Sequence, residues 1–334
     1  PATLQISQQP VNVAAGVAMS VNPAVKIYDA YNNWIADDST TRVSAKLMKL
    51  NSDLTTYSAV TAVTASTNGA TAGVVRFAGL SYEVAAADAY KIQYQITEVS
   101  GTPVTGNTAN SDAFNITPGA ATHFVWNSLP AAESMNNTDI GGGLIPEAPE
   151  IWLYDTFGNR TTASGDVTFT VTATPTAGVT RTSFTGGNVS SSAGVVRFDD
   201  LRLRGTIGDY ELSFTAKNAA GTTITDNTFD GTHTVKLTHG AADHITLDRA
   251  AATARNNVVF ATQPRLYVYD IDNNLVTTGS TAVSVAVTSS TARTIAFINN
   301  LSSKATVSGV ADFTGSLNRI GLVGESGDYT LTYS

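Results

Sequence analysis

Several residue types that carry chemistry or make cross-links are scarce or missing in this chain. It contains no cysteine, which excludes a disulfide framework, a thiolate metal site and a cysteine nucleophile. Charged residues make up 14% of the 334 residues and the formal net charge is −8, so a phosphate-binding surface is not expected. No apolar run approaches the roughly 20 residues that a membrane-spanning helix needs. We therefore expect neither nucleic-acid binding nor a membrane span in this segment.

Long stretches rich in Leu, Glu and Lys are also missing, which disfavours helices. Instead, Val, Ile, Tyr and Phe are scattered among Thr, Ser, Gly and Asn, a composition that favours short strands joined by turns. The length predicts two or three domains. The chain opens PATLQI, without an initiator Met or a signal-like stretch, and we interpret it as a mature or excised segment of something longer.

The hexapeptide AGVVRF occurs twice, and it belongs to a longer pattern that recurs three times. The first column of this pattern reads KIYDAYNNW from 26, WLYDTFGNR from 152 and YVYDIDNNL from 267. The second reads GVVRFAGL from 73, GVVRFDDL from 194 and GVADFTGSL from 309. The third reads DAYKIQY from 88, GDYELSF from 208 and GDYTLTY from 327. A self-similar period of this kind indicates tandem modules.

Each column predicts a local structure. In the third column apolar and polar residues alternate, and in the second Val75 and Phe77 share one face, as do Val196 and Phe198, so both columns are strands. Asp and Asn at the end of the first column predict a β-turn. The joins PGAATHFVW from 118 and HGAADHITL from 239 place modules at 1–119, 120–240 and 241–334. Each is near the size of a seven-stranded sandwich, and joins this short predict a semi-rigid rod.

The third module is predicted to lack its last strand. The first two modules carry a further strand, around Ala113–Thr117 and Thr234–Thr238, whereas the third stops at Ser334. A sheet that ends there exposes an unpaired edge. Either the natural chain continues past Ser334, or a strand from another subunit fills the gap.

The order of these motifs resembles the bacterial immunoglobulin-like (Ig-like) repeats of invasin-type adhesins, S-layer proteins and cell-surface filament proteins, over essentially the whole chain. The resemblance implies an all-β chain of disulfide-free antiparallel Ig-like sandwiches, exported to the cell surface and used in many copies as a stalk or lattice element. It also implies that Tyr90, Tyr210 and Tyr329 are counterparts of the tyrosine corner. The first repeat departs from the pattern, with Asp88-Ala89 where the others have Gly-Asp.

Oxygen-bearing side chains in the first column are candidate ligands for Ca²⁺. The candidates are Asp29, Asn33, Asp155, Asn159, Asp270, Asp272 and Asn274. One carboxylate and one amide fall short of the six to eight oxygens that Ca²⁺ takes, and the D-x-D-x-D-G spacing is missing. We interpret the pairs as turns, with Ca²⁺ as the alternative, and expect no other cofactor.

No catalytic constellation is visible, so we expect that this chain is not an enzyme. The sequence has four histidines and none of the HExxH, GxSxG or P-loop patterns. His123 and His244 occupy one column, which predicts partly buried residues near the joins. The same columns recur three times, whereas catalysis needs one asymmetric site.

Departures from the repeat are candidate interfaces. Trp34 follows the first turn, where it either anchors an interface or folds back onto its own sandwich. Five further residues are interface candidates. Gly141, Gly142 and Gly143 lie in an insertion in the second module, and Tyr329 and Tyr333 lie on the unpaired edge of the third. Five N-x-Ser/Thr triplets are candidate glycan sites, at Asn115, Asn136, Asn159, Asn188 and Asn300.

Together these features predict a structural segment of an extracellular, cell-surface protein. Its rod of modules is expected to act as a stalk, or as a self-assembling subunit of an S-layer or filament. The expected partners are copies of itself, further repeats of a longer chain, and cell-wall or surface glycans. The alternative is an adhesin whose loops bind a host or surface glycan or protein.

Overall fold

The computed structural model describes residues 1–141, 148–162, 165, 167–226, 232–315 and 317–334, with the backbone alone at 86–89 and 226. Nearly all of its regular structure is β, arranged as antiparallel sheets that pack into Ig-like sandwiches. The all-β, Ig-like fold that the sequence predicts is therefore confirmed.

The first module consists of two sheets. One has the strand order β1-β3-β7, and the other follows the order β2-β11-β8-β4-β5, with β6 on β4 and both β9 and β10 on β8. The strands are β1 (Thr3–Gln8), β2 (Val13–Ala14), β3 (Ala24–Tyr28), β4 (Arg42–Leu50), β5 (Tyr57–Ala59), β6 (Ser66–Gly69), β7 (Val74–Arg76), β8 (Ala86–Val99), β9 (Thr102–Pro103), β10 (Thr108–Asn110) and β11 (Phe114–Thr117).

The second module repeats this plan. Its strands are β12 (His123–Ser128), β13 (Glu133–Met135), β14 (Glu150–Tyr154), β15 (Val167–Pro175), β16 (Arg181–Thr185), β17 (Asn188–Ser190), β18 (Val195–Arg197), β19 (Arg202–Gly205), β20 (Gly208–Asn218), β21 (Thr223–Asp226) and β22 (Thr232–Thr238). The order β12-β14-β18 corresponds to β1-β3-β7, and β13-β22-β20-β15 corresponds to β2-β11-β8-β4. Here β21 pairs with both β20 and β12, and so joins the two sheets.

The third module has the same first sheet but a shorter second one. Its strands are β23 (His244–Arg249), β24 (Val258–Val259), β25 (Arg265–Tyr269), β26 (Ala282–Ser289), β27 (Ile295–Phe297), β28 (Ser303–Ala305), β29 (Val310–Asp312), β30 (Gly321–Gly324) and β31 (Tyr329–Tyr333), with one 3₁₀ turn at Ile298–Asn300. The sheets are β23-β25-β29, β24-β30-β27 and β28-β26-β31. In the described part of the chain, β31 pairs with β26 alone.

Each module has its own apolar core. The buried apolar residues form three clusters, within 4–116, 121–237 and 260–322. The faces predicted from the second column are confirmed, because Val75, Phe77, Val196 and Phe198 are all fully buried, while the intervening arginines are exposed. Burial of each such side chain contributes about 1.5–3 kcal/mol, so these strands belong to the cores. Among the described residues, no helix is long and apolar enough to cross a membrane.

Candidate functional site

The repeated Asp and Asn of the first column form a hydrogen-bonded turn at the end of a strand. In the third module, Asp270 Oδ1 accepts the backbone N–H groups of Asp272 and Asn274, each at 2.9 Å. Asp29 and Asp155 make the corresponding bonds in their own turns, at 2.8–2.9 Å. The Asn side chain also donates to the carboxylate in each turn. One carboxylate oxygen is thus occupied by N–H donors of its own turn.

In the second and third modules the other carboxylate oxygen faces the join with the preceding module. Asp155 Oδ2 accepts the backbone N–H of Gly119 at 2.9 Å. Asp270 Oδ2 accepts that of Gly240 at 2.7 Å. These glycines are the ones that the sequence places in the short joins. Each carboxylate therefore ties its own turn to the linker that precedes its module, and we call this contact region a joint.

The Asn side chain of the turn extends the joint to the body of the preceding module. Asn159 donates its Nδ2–H to Glu83 O at 2.7 Å and accepts the N–H of Ala85 at 2.8 Å. Asn274 donates to Gly205 O and accepts the N–H of Ile207, both at 2.9 Å. In both joints the amide therefore bridges a carbonyl and an N–H two residues apart. The two joints are the same contact, made twice.

A glycine at the second join is required by close approach. A Cβ built on Gly240 would lie 2.6 Å from the carbonyl oxygen of Asn136, which is closer than real Cβ atoms come. The linker can therefore bring its N–H to Asp270 only if that position has no side chain.

The second joint carries an additional charged network. Asn136 donates its Nδ2–H groups to Asp270 Oδ2 at 2.9 Å and to Asp272 Oδ2 at 2.8 Å, and its Oδ1 accepts the N–H of Gly205 at 3.1 Å. Arg204 makes a bidentate pair with Asp272, with both N–O distances at 3.1 Å. The Asp272 side chain is only 6% exposed. A paired, well-buried carboxylate of this kind is costly to leave without its partners.

The first joint has an apolar contact at the corresponding place. Phe157 occupies the position of Asp272, two residues after the turn Asp, and its ring packs against Gly16, where an added Cβ would lie 2.3 Å from the ring edge. Ala15 stands beside this glycine, on the strand edge where the second module has Asn136. At these two positions the first joint therefore has apolar residues where the second joint has Asp272 and Asn136.

The joint carboxylates favour their charged form. Burial on its own would raise the pKa of Asp270, but the N–H of Gly240 and the side chains of Asn274 and Asn136 outweigh it and lower the pKa below its usual value. The pKa of Asp272 is lowered in the same way, with burial opposed chiefly by Arg204. For Asp155, burial is outweighed by Asn159 and Gly119, and the pKa is again lowered. The joints are therefore built for ionised carboxylates.

Tyr210 and Tyr329, two of the repeated tyrosines, act as corner tyrosines. The hydroxyl of Tyr210 donates to the carbonyl oxygens of Thr206 and Thr180, at 2.9 and 3.0 Å. The hydroxyl of Tyr329 donates to Glu325 O at 2.6 Å. In both cases the acceptor lies four residues upstream, as in a tyrosine corner. Tyr90 lies in the strand β8 with its side chain fully buried, as is that of Tyr210, and its corner contact stays a prediction.

Trp34 folds back onto its own module. Its indole Nε1–H donates to Gly73 O at 3.4 Å, and Lys26 Nζ lies 4.4 Å from the ring centroid. In the second module the same two positions carry Trp152 and Arg160, with the cation again over the ring, at 4.2 Å. The first module therefore has the same cation–π pair with its members exchanged. Trp34 thus folds back onto its own sandwich while staying 45% exposed, and its role at an interface stays a prediction.

Of the five other predicted interface residues, the structure describes three. Gly141 accepts the N–H of Ala131 at 2.7 Å, within the second module. Gly142 and Gly143 lie outside the described residues. Tyr329 and Tyr333 line a groove beside the last strand of the third module. The histidines predicted to be partly buried, His123 and His244, are so, and each stacks on a tyrosine of the neighbouring strand.

Two of the five candidate glycan sites are part of the joints. Asn136 is 1% exposed and uses its amide nitrogen for two carboxylates, so a glycan there is incompatible with the folded joint. The amide nitrogen of Asn159 is likewise bonded to Glu83 O and to Asp155. The remaining three are exposed: Asn115, Asn188 and Asn300. Sequence reasoning identified Asn136 only as a glycan acceptor and missed its role between modules.

The candidate Ca²⁺ ligands of the first column are found in hydrogen-bonded turns, and Ca²⁺ binding stays a prediction. Their carboxylate oxygens accept N–H donors, and the three turns lie in three different modules. Across the part of the chain that the structure describes, no group of three or more His, Cys, Asp or Glu side chains is arranged to hold a metal ion.

Two of the solved structures that match this chain do so at low identity. The bacterial integrin-binding protein invasin matches 99% of this chain and 56% of its own, with 15% identity and a TM-score of 0.31. A β-glycosidase from Bacteroides vulgatus matches 70% of this chain and 24% of its own, with 12% identity and a TM-score of 0.24. No protein-family model and no curated protein matches the chain. The chain thus spans little more than half the length of the invasin structure.

Proposed function

We propose that this chain is a structural segment of a cell-surface protein, in which tandem Ig-like modules held in a fixed orientation act as a stalk or as a subunit of a layer or filament. One observation carries the proposal. Both joints use the same Asp-to-Gly bond and the same Asn bridge to a carbonyl and an N–H of the preceding module. A contact that is repeated unchanged from module to module is what a rod of constant geometry requires.

The energetics favour a stiff rod over modules that move independently. The polar atoms of the joints are bonded to groups on both sides, and opening a joint exchanges these hydrogen bonds for bonds to water at a net cost of about 0.5–1.5 kcal/mol each. The joins themselves are only a few residues long, which limits the freedom of the linker. The role is architectural rather than catalytic, because the repeated polar side chains are engaged by backbone groups. Placement at the cell surface rests on the resemblance of the repeated motifs.

The experiment compares the shapes of two matched variants. Asn274→Ala removes the bridge at the second joint, whereas Asn33→Ala removes the equivalent side chain in the first module, where it bonds within its own turn. Small-angle X-ray scattering is expected to give a stiff three-module particle for the unmodified chain and for Asn33→Ala. Asn274→Ala is expected to give a flexible particle. An unmodified chain that is already flexible would contradict the proposal.

A further inference from the structure

The residue two positions after the turn Asp meets a different surface at each joint. We call it the contact residue; it is Phe157 at the first joint and Asp272 at the second. The surface that it meets belongs to the end of the preceding module. Two positions of that end differ between the first and the second module, one in size and one in charge.

The first position has a glycine in one module and a larger residue in the other. Gly16 donates its N–H to Tyr82 O at 2.9 Å, and Asn137 donates its N–H to Leu203 O at 3.1 Å, so Gly16 and Asn137 are equivalent. Both have a left-handed backbone, with φ of 76° and 62°. The Phe157 ring fits because Gly16 has no Cβ, since one built there would lie 2.3 Å from the ring. Asn137 has that Cβ, so an aromatic contact residue would clash with the end of the second module.

The second position has opposite charges in the two modules. The residue after Tyr82 is Glu83, and the residue after Leu203 is Arg204. Arg204 pairs with the acidic contact residue of the third module. Glu83 is exposed and lines one cleft with Phe157, and it is the one charged residue among the described residues of that lining. An acidic contact residue at the first joint would therefore face a carboxylate and lack a basic partner.

We propose that these contacts select which module can follow which. The end of the first module accepts an aromatic contact residue, through Gly16, and rejects an acidic one, through Glu83. The end of the second module accepts an acidic contact residue, through Arg204, and rejects an aromatic one, through Asn137. Specific interfaces discriminate in this way, by a misfit with the wrong partner as well as by contacts with the right one. This selection rests on the proposed function, because it needs joints that close, and it sets the order of the modules in the rod.

Two substitutions at the first joint test the selection. Phe157→Asp gives this joint the acidic contact residue of the third module, and Phe157→Asn is its neutral control of the same size. Thr67→Cys and Thr170→Cys, both at exposed positions, carry spin labels in the first and second modules. Double electron–electron resonance is expected to give a narrow distance distribution for the labelled chain and for Phe157→Asn. Phe157→Asp is expected to increase the open fraction about tenfold over Phe157→Asn, because its carboxylate meets Glu83.

A rescue separates selection from damage to the fold. Adding Glu83→Arg to Phe157→Asp gives the first joint the acid–arginine pair of the second, and the narrow distribution is expected to return. Tyr31→Asp makes the same kind of change at the corresponding turn of the first module and is expected to leave the distribution narrow. Equal distributions for Phe157→Asp and Phe157→Asn, or no rescue by Glu83→Arg, would overturn the selection.

The reciprocal exchange is made at the second joint. Asp272→Phe is expected to broaden the distribution between labels at Thr170→Cys and Thr288→Cys in the second and third modules. Adding Asn137→Gly is expected to narrow it again, because a glycine makes room for the ring. If the unmodified chain already has broad distributions, the proposed function fails and the selection fails with it. If the unmodified chain is narrow and stays narrow in both Phe157→Asp and Asp272→Phe, the selection alone is wrong.

Discussion

The two joints share one polar lock but differ in what surrounds it. In both, the turn Asp accepts the N–H of a linker glycine, and the turn Asn bridges two backbone groups. Around this lock the first joint has Phe157 packed on Gly16, and the second has Asp272 paired with Arg204 and Asn136. These shared bonds give the two joints the same geometry. The residue two positions after the Asp determines whether the contact around them is apolar or charged.

The first module supplies a reference state for this comparison. Its Asp29 and Asn33 form the same turn, and Tyr31, at the position of Phe157 and Asp272, is 87% exposed. A substitution in this turn changes the free energy of unfolding only through bonds within the first module. The difference from the same substitution in a joint is the contribution of the contact between modules.

Acid is expected to produce the largest difference between the joints. The carboxylates have pKa values lowered by folding, so they stabilise the joints above the unfolded pKa of about 3.9, and this stability is lost as the pH falls through the lower, folded pKa. The second joint has two such groups, Asp270 and Asp272, and the first has Asp155. Scattering between pH 7 and pH 2 is expected to show the second joint opening first.

The control for acid is the Asp270→Asn, Asp272→Asn double variant. Its second joint lacks the titrating groups, so the flexibility of that joint is expected to be independent of pH in this range. Opening of the first joint before the second would show that the charged network is not the acid-sensitive element.

Asp270→Ala is expected to be the most damaging single substitution. It leaves the N–H of Gly240 and the amide of Asn136 without their acceptor, which costs about 3 kcal/mol. Differential scanning calorimetry is expected to show a lower Tm for the third module. Asp29→Ala is the matched control and loses only its local turn bonds. Equal losses in the two variants would mean that the carboxylate acts within the turn and not across the joint.

Arg204→Met is expected to cost somewhat less, about 2 kcal/mol, because it leaves the buried Asp272 with its neutral partners only. The stability of the unmodified second joint is also expected to fall at high salt, since part of it is a charge pair. The measurement is chemical denaturation at about 0.1 and 1 M NaCl, monitored for the second and third modules. If the stability of Arg204→Met depends on salt as strongly as that of the unmodified chain, other charges cause that dependence.

Phe157→Ala is expected to have the smallest effect, about 1 kcal/mol, because the side chain is 39% exposed and only part of its apolar area is lost. The loss is expected to be independent of salt, in contrast to Arg204→Met. Tyr31→Ala serves as the control and is expected to be neutral. Denaturation curves of the two variants at both salt concentrations decide whether the first joint is apolar.

The sequence predicts the modules better than it predicts their contacts. Alternation in GVVRF identifies Val75 and Phe77 as core residues because side-chain direction in a strand has period two. The Asp and Asn columns identify a turn because those bonds are local. The same residues also bond across modules, and nothing in a local pattern says which way the second carboxylate oxygen points.

Asn136 illustrates what local patterns miss. Its triplet suggests a glycan acceptor, but the partners of its side chain are residues 69 to 136 positions away. One signal was available in the sequence. Gly119 and Gly240 stand at the same place in the two repeated joins, 36 and 30 positions before the turn Asp, so a bond between linker and turn was open to prediction. Phe157 and Asp272 occupy the same position of the repeat, and the two joints differ at this position.

The most direct test of the account is the distance distribution between the second and third modules. Because the chain has no cysteine, Thr170→Cys and Thr288→Cys, both at exposed positions, place two spin labels without background. Double electron–electron resonance is expected to give a narrow distribution for this labelled chain. It is expected to give a broad one after Asp270→Ala and Asn274→Ala are added, with the third module still folded. A broad distribution before those changes, or an unchanged narrow one after them, would contradict the claim that these turns lock the modules together.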